Sequence, residues 1–199
     1  MLFVDHIDGN GAYVDTGYVP TRNTRLEFTF MQNFAKTPFS NDEAWIGVVP
    51  QAGDTSAFKF HARTWDTAAF YDCFYWARDN NGDHLWYDPE YSTQVSWATW
   101  TRNEWLNVKC YGTTMEIEGK KITSSKPYSD PPKRSITIFG GKLRTHDFSL
   151  KALRILEGDV VKMNLKPAID PSSVACFYDT VSKKKLYSAN GKQLKGVLA

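Results

Sequence analysis

The stretch from Phe70 to Trp100, FYDCFYWARDNNGDHLWYDPEYSTQVSWATW, gathers the side chains of this sequence best suited to chemistry. It holds ten aromatic rings, several acidic groups and a short Asn81-Gly82-Asp83 turn. Six of the seven tryptophans fall between Trp65 and Trp105. That is more ring surface than the single core-facing side of a sandwich strand absorbs. Rings left at a surface offer flat apolar faces on which sugars stack. They suit protein partners equally well, where Trp, Tyr and Arg carry most of the binding energy. The candidate ligand-binding residues are Trp65, Tyr75, Trp76, Trp86, Tyr87, Tyr91 and Trp97, with Arg63, Arg78, Asp79 and Asp83 as polar partners. A core reading competes with this one. FYDCFYWA is also a strand with Phe70, Phe74 and Trp76 on one side and Tyr71, Cys73, Tyr75 and Ala77 on the other. The stretch therefore reads as half strand core, half recognition surface.

Its oxygen ligands raise calcium as a second possibility. Asp79, Asn81 and Asp83 stand at alternate positions and Glu90 at position twelve, which imitates an EF-hand loop. The glycine of such a loop belongs at position six, where this chain has His84, and Gly82 comes two places early. Nucleophilic chemistry has less support. His6, His61, His84 and His146 are scattered, and no Gly-x-Ser-x-Gly elbow or cysteine-protease signature accompanies them. Cys73, Cys110 and Cys176 form an odd set at no metal-ligand spacing, as expected of free thiols in strands.

These side chains must be positioned by strands, because period-two alternation runs through the chain. Leu26, Phe28 and Phe30 alternate with Arg25, Glu27 and Thr29, and Phe58, Phe60 and Ala62 with Lys59, His61 and Arg63. Leu106, Val108 and Cys110 repeat the pattern, as do Met115 and Ile117 before a turn at Glu118-Gly119-Lys120. Further strands are expected over 135–139, 150–156, 160–165, 174–179 and 184–189. Between them lie turns at 8–11, 140–141, 157–159 and 190–191. The segments Lys36–Glu43 and Pro127–Arg134 read as exposed loops. Ten or more short strands and no amphipathic helix of three turns give an all-β chain, an antiparallel β-sandwich, in one domain over 1–199.

Twenty-four basic and 22 acidic residues leave a net charge of +2. That is no footprint for nucleic acid or an anionic membrane, and the run Lys183 to Lys185 reads as a solvated turn. No apolar run approaches the roughly 18 residues of a membrane span. The opening MLFVDHIDGN has no signal-peptide pattern, as expected of a chain excised from a larger secreted protein or used without classical export.

Gly11, Tyr13, Asp15, Thr16, Gly17, Pro20, Asn23, Thr24 and Arg25 follow the Gly-x-x-Tyr-Ile-Asp-Thr-Gly…Asn-Thr-Arg opening of a known family. Trp105 and Gly119 match its Trp-strand and hairpin, and the segment from Lys162 to Gly191 resembles its close. In these features the chain resembles the concanavalin A-like, laminin-G-like jelly rolls of bacterial surface and phage proteins. The resemblance implies two antiparallel sheets face to face and maps Trp105 to a core position; Trp45 and Trp105, each within an alternating strand, read as core or sheet-packing residues. Lectin-type jelly rolls hold calcium in loops, which makes Asp79, Asp83 and Asp88 the candidate metal ligands. Laminarinase-type enzymes of this fold carry Glu-x-Asp-x-(x)-Glu on one strand. Only Glu116 and Glu118 approach that spacing, beside a turn and with lysine at 120.

The leading expectation is a non-catalytic module that recognises a glycan or protein surface, carbohydrate first, through an aromatic-rich concave face or loop rim. A structural or decoration protein of a phage particle, in contact with other virion proteins, is the alternative, and a glycoside hydrolase the third. Each of the first two implies work at an extracellular, cell or virion surface, without nucleic acid or membrane insertion and without a cofactor other than calcium.

Overall fold

The computed structural model describes residues 1–31, 45–49, 51, 56–64, 72–79, 84–85, 103–123, 130–142 and 148–199, with backbone alone for 56, 61–64, 72–75, 77–79 and 84–85. The strands begin with β1 (Leu2–Phe3), β2 (His6–Asp8), β3 (Val14–Asp15) and β4 (Thr24–Met31). Next come β5 (Ile46–Val48), β6 (Ser56–Thr64), β7 (Asp72–Asp79), β8 (His84–Leu85) and β9 (Trp105–Tyr111). A hairpin follows, β10 (Thr114–Ile117) and β11 (Lys120–Thr123), then β12 (Thr137–Ile138), β13 (Ser149–Glu157) and β14 (Val160–Ile169). The chain closes with β15 (Ala175–Asp179), β16 (Lys185–Leu186) and β17 (Lys195–Val197). No helix occurs among the described residues.

Two antiparallel sheets result. The larger has eleven strands along the order β11-β10-β9-β4-β13-β14-β15-β16, with β1 on β14 and β2 between β13 and β17. The smaller runs β3-β12-β5-β6-β7-β8. They pack as an all-β sandwich because alternation gives each sheet one apolar face. On β4, Leu26, Phe28 and Phe30 are buried while Arg25, Glu27 and Thr29 are not, and β9 and β13 follow suit. Aromatic contacts join the layers. Phe60 of β6 meets Phe28 edge-on at 4.9 Å and Phe30 at 5.4 Å, and Trp45 stacks on Phe148 at 5.4 Å. Each such pair contributes about 0.5–1.5 kcal/mol beyond its area burial.

The family-like opening motif is a set of turns. Gly17, at φ +68°, donates its N–H to the Asp15 carboxylate at 2.9 Å, and the Thr16 hydroxyl donates to the Ile136 carbonyl at 2.7 Å. The Thr24 hydroxyl accepts from the Thr21 N–H at 2.7 Å and donates to Glu157 at 3.0 Å, where the hydroxyls of Tyr18 and Thr21 also donate. At the close, buried Asp179 caps the β15–β16 turn by accepting from Asn164, Val181 and Ser182. These residues are structural.

Two expectations need correction. Pro131 and Pro132, in the segment read as an exposed loop, are buried, and the Arg134 guanidinium donates to the Val49 carbonyl at 3.1 Å. Lys59, on the polar side of β6, is only 1% exposed. Both faces of the smaller sheet are therefore covered at this position.

Candidate functional site

Most of the expected binding surface lies outside the described residues: Trp65, Trp86, Tyr87, Tyr91, Trp97, and the expected metal ligands Asp83 and Asp88. Arg63, Tyr75, Arg78 and Asp79 are described along the backbone, on β6 and β7. Tyr75 pairs with His61 and Arg63 with Cys73, at positions alternating with the core pair Phe60–Trp76. Trp76 is the exception with a described side chain, and it is a core residue with no exposure. Its indole packs edge-on against Phe58 at 4.9 Å, and its N–H donates to the Gly112 carbonyl at 3.0 Å. Both its apolar and its polar surface are thus satisfied internally, which withdraws it from the ligand-binding set. Among the described residues no group of three His, Cys, Asp or Glu is placed to hold a metal ion.

The carboxylate pair also resolves. Glu116 lies on β10 and accepts from Lys109 at 3.1 Å. Glu118 sits in the hairpin turn at φ +47° and accepts from the Asn107 backbone and, at 3.0 Å, its side-chain amide. One holds a cross-strand pair and the other a turn.

A different cluster emerges on the outward face of the larger sheet. Trp105 belongs there and not in the core, because it alternates with buried Leu106, Val108 and Cys110. The strand register sets it in a row across five strands: Trp105 opposite Met31, Met31 opposite Ser149, Ser149 opposite Asp8, and Asp8 opposite Lys195. Facing residues of paired strands project to the same side. A bulge between Leu150 and Ala152 brings Lys151 out beside this row. Its ammonium lies 5.0 Å from the Trp105 ring centroid and 2.8 Å from an Asp5 carboxylate oxygen.

His6 completes the group. Its ring meets Trp105 edge-on at 5.1 Å, with Nδ1 3.0 Å from Asp5 and Nε2 3.6 Å from Asp8. The Ser149 hydroxyl donates to Asp8 at 2.5 Å, and Lys195 approaches the same carboxylate at 3.9 Å. The hydrogen bond from Lys151, then that from His6, hold the Asp5 carboxyl below its ordinary pKa, so it is a firm acceptor at neutral pH. The result is a half-buried indole with the His6 imidazole at its edge and the Lys151 ammonium over it, Asp5 and Asp8 holding those two groups, and a fully buried Ser149 fixing Asp8 from behind.

Asp5, His6, Asp8, Ser149, Lys151 and Lys195 carry no motif, and sequence reasoning passes over them. The signal for Trp105 is the alternation of WLNVKC itself: with Leu106, Val108 and Cys110 inward, parity sends Trp105 out. No protein-family model, curated protein or solved structure matches this chain.

Proposed function

We propose that this protein is a non-catalytic recognition module for carbohydrate, and that the Trp105 cluster is its ligand-binding surface. The observation that carries the reading is an indole held on the outward face of a sheet with the Lys151–Asp5 ion pair and the His6 imidazole beside it. A pyranose needs those two things together: an apolar plane for its C–H face, and fixed donors and acceptors for its hydroxyls. Lys151 and Asp5 present a donor and an acceptor 2.8 Å apart, with the ammonium over the face of the ring. The cation–ring contact that Lys151 gives up when a sugar settles is worth about 0.5–1 kcal/mol at an exposed site, a small cost.

Glycan-array screening followed by titration calorimetry tests the assignment. Trp105→Ala abolishes binding of the best glycan while thermal unfolding is little changed, and Lys151→Ala weakens it several-fold. If Trp86→Ala or Trp97→Ala abolishes binding and Trp105→Ala leaves it intact, the site belongs to the aromatic stretch instead. An array with no bound glycan removes the carbohydrate reading altogether.

A further inference from the structure

The outward face of the larger sheet pairs most of its cations. Lys109 lies 3.1 Å from Glu116, Arg154 2.8 Å from Glu27, Arg25 3.1 Å from Asp159, and Lys151 2.8 Å from Asp5. The β14–β16 side departs from that pattern. Lys162 and Lys166 are exposed on β14, and Lys183 and Lys184 are exposed in the turn entering β16. Among the described residues none of these four has a carboxylate within ion-pairing distance, and Lys185 reaches Asp170 only at 3.9 Å.

The register brings these cations to an aromatic ring. Lys166 pairs with Tyr178, and Tyr178 with Lys185, so the half-buried phenol stands between two ammonium groups in one row. Phe3 meets that ring edge-on at 6.0 Å. Neighbouring strands lie about 4.8 Å apart, so the row spans roughly 10 Å, the reach of a disaccharide. Like charges repel one another, and an edge that gathers four unpaired lysines beside Lys185 is relieved by an anionic partner.

We propose that the β14–β16 edge docks an acidic polysaccharide, with Tyr178 under a sugar ring and Lys162, Lys166, Lys183, Lys184 and Lys185 taking its sulfate or carboxylate groups. The phenol at the centre favours a glycan over a featureless polyanion, because only a ligand with a flat apolar face gains from it. This surface shares no residue with the Trp105 cluster, so either assignment can fail alone.

Retention and calorimetry on the full chain, with dextran sulfate, neutral dextran and single-stranded DNA as probes, decide the matter. Dextran sulfate binds at low salt, neutral dextran does not, and affinity falls steeply as salt is added. The triple variant Lys162→Gln, Lys166→Gln, Lys185→Gln loses roughly tenfold or more in affinity. Tyr178→Leu, which keeps an apolar group against Phe3, loses several-fold, and Trp105→Ala binds dextran sulfate as the parent does. The proposal is overturned by absence of retention at low salt, or by a triple variant that binds like the parent. It is equally overturned by DNA binding as tightly as dextran sulfate, which marks a nucleic-acid surface.

Discussion

Tyr187 illustrates how far single side chains here are committed to local structure. Its hydroxyl donates to Asp170 at 2.7 Å, while the Ser172 and Val174 N–H groups donate to the same residue at 2.8 and 3.0 Å. The Asp170 bond pushes the Tyr187 pKa up to about 12, and the Val174 and Tyr187 bonds hold the Asp170 carboxyl below its ordinary value. A raised tyrosine pKa stabilises the fold fully below the unfolded value near 10, and that contribution disappears as pH rises towards 12. Ultraviolet titration of the phenolates should therefore show a late-ionising tyrosine. Asp170→Asn should return it towards 10, whereas a titration identical in both proteins refutes the contact. Trp105 teaches the opposite lesson about legibility. The parity of WLNVKC sends it outward, whereas its place in an alternating strand and the match to a family core position both assign the ring to packing. The partners Asp5, His6 and Asp8 were not readable, because they meet Trp105 only through pairing between strands distant in the chain.

At the scale of elements, strands were legible wherever one face is dry and the other wet. β4, β9, β13, β14 and β15 fall on the expected segments because each has an alternating apolar set. The short strands β1, β2, β3 and β17 were not foreseen. Two or three residues give no period, and their existence depends on a long neighbour that offers an edge. The same limit explains Pro131 and Pro132, which composition sends to solvent and packing buries. Gly47 on β5 is a point where one atom decides an element. At φ +147°, a Cβ there would collide with the Phe58 carbonyl oxygen and lie 2.6 Å from the Lys59 Cα, both backbone groups of the paired strand. Gly47→Ala should part β5 from β6 and lower stability by about 3 kcal/mol or more, the range of severe core and backbone lesions. Chemical denaturation measures this directly, and a loss below about 1 kcal/mol would show that the strands separate without strain.

For the whole molecule, the sandwich architecture was legible from alternation and turn chemistry, while strand order was not, since only contacts between remote segments fix it. One product of that order is a row of charges across six strands. Lys121 faces Glu116, Glu116 faces Lys109, Lys109 faces Glu27, Glu27 faces Arg154, and Arg154 faces Asn164. Signs alternate at each step up to the last. Cross-strand pairs of this kind contribute about 0.2–1 kcal/mol each, less in salt. Glu27→Lys turns its attractions to Arg154, Arg25 and Lys109 into repulsions and should cost about 1–2 kcal/mol in low salt, shrinking as ionic strength rises. Equal losses at low and high salt would mean that the charge itself contributes nothing. The row also guards against an error that apolar patterning cannot detect. Sliding a strand by one residue turns its oily side to water and is heavily penalised, but sliding by two leaves every side chain on its proper side. In one direction, such a two-step slide of β9 or of β13 along β4 sets Lys109 or Arg154 against Arg25. Like charges meeting head-on mark that near-miss alignment as wrong while the chain is still assembling.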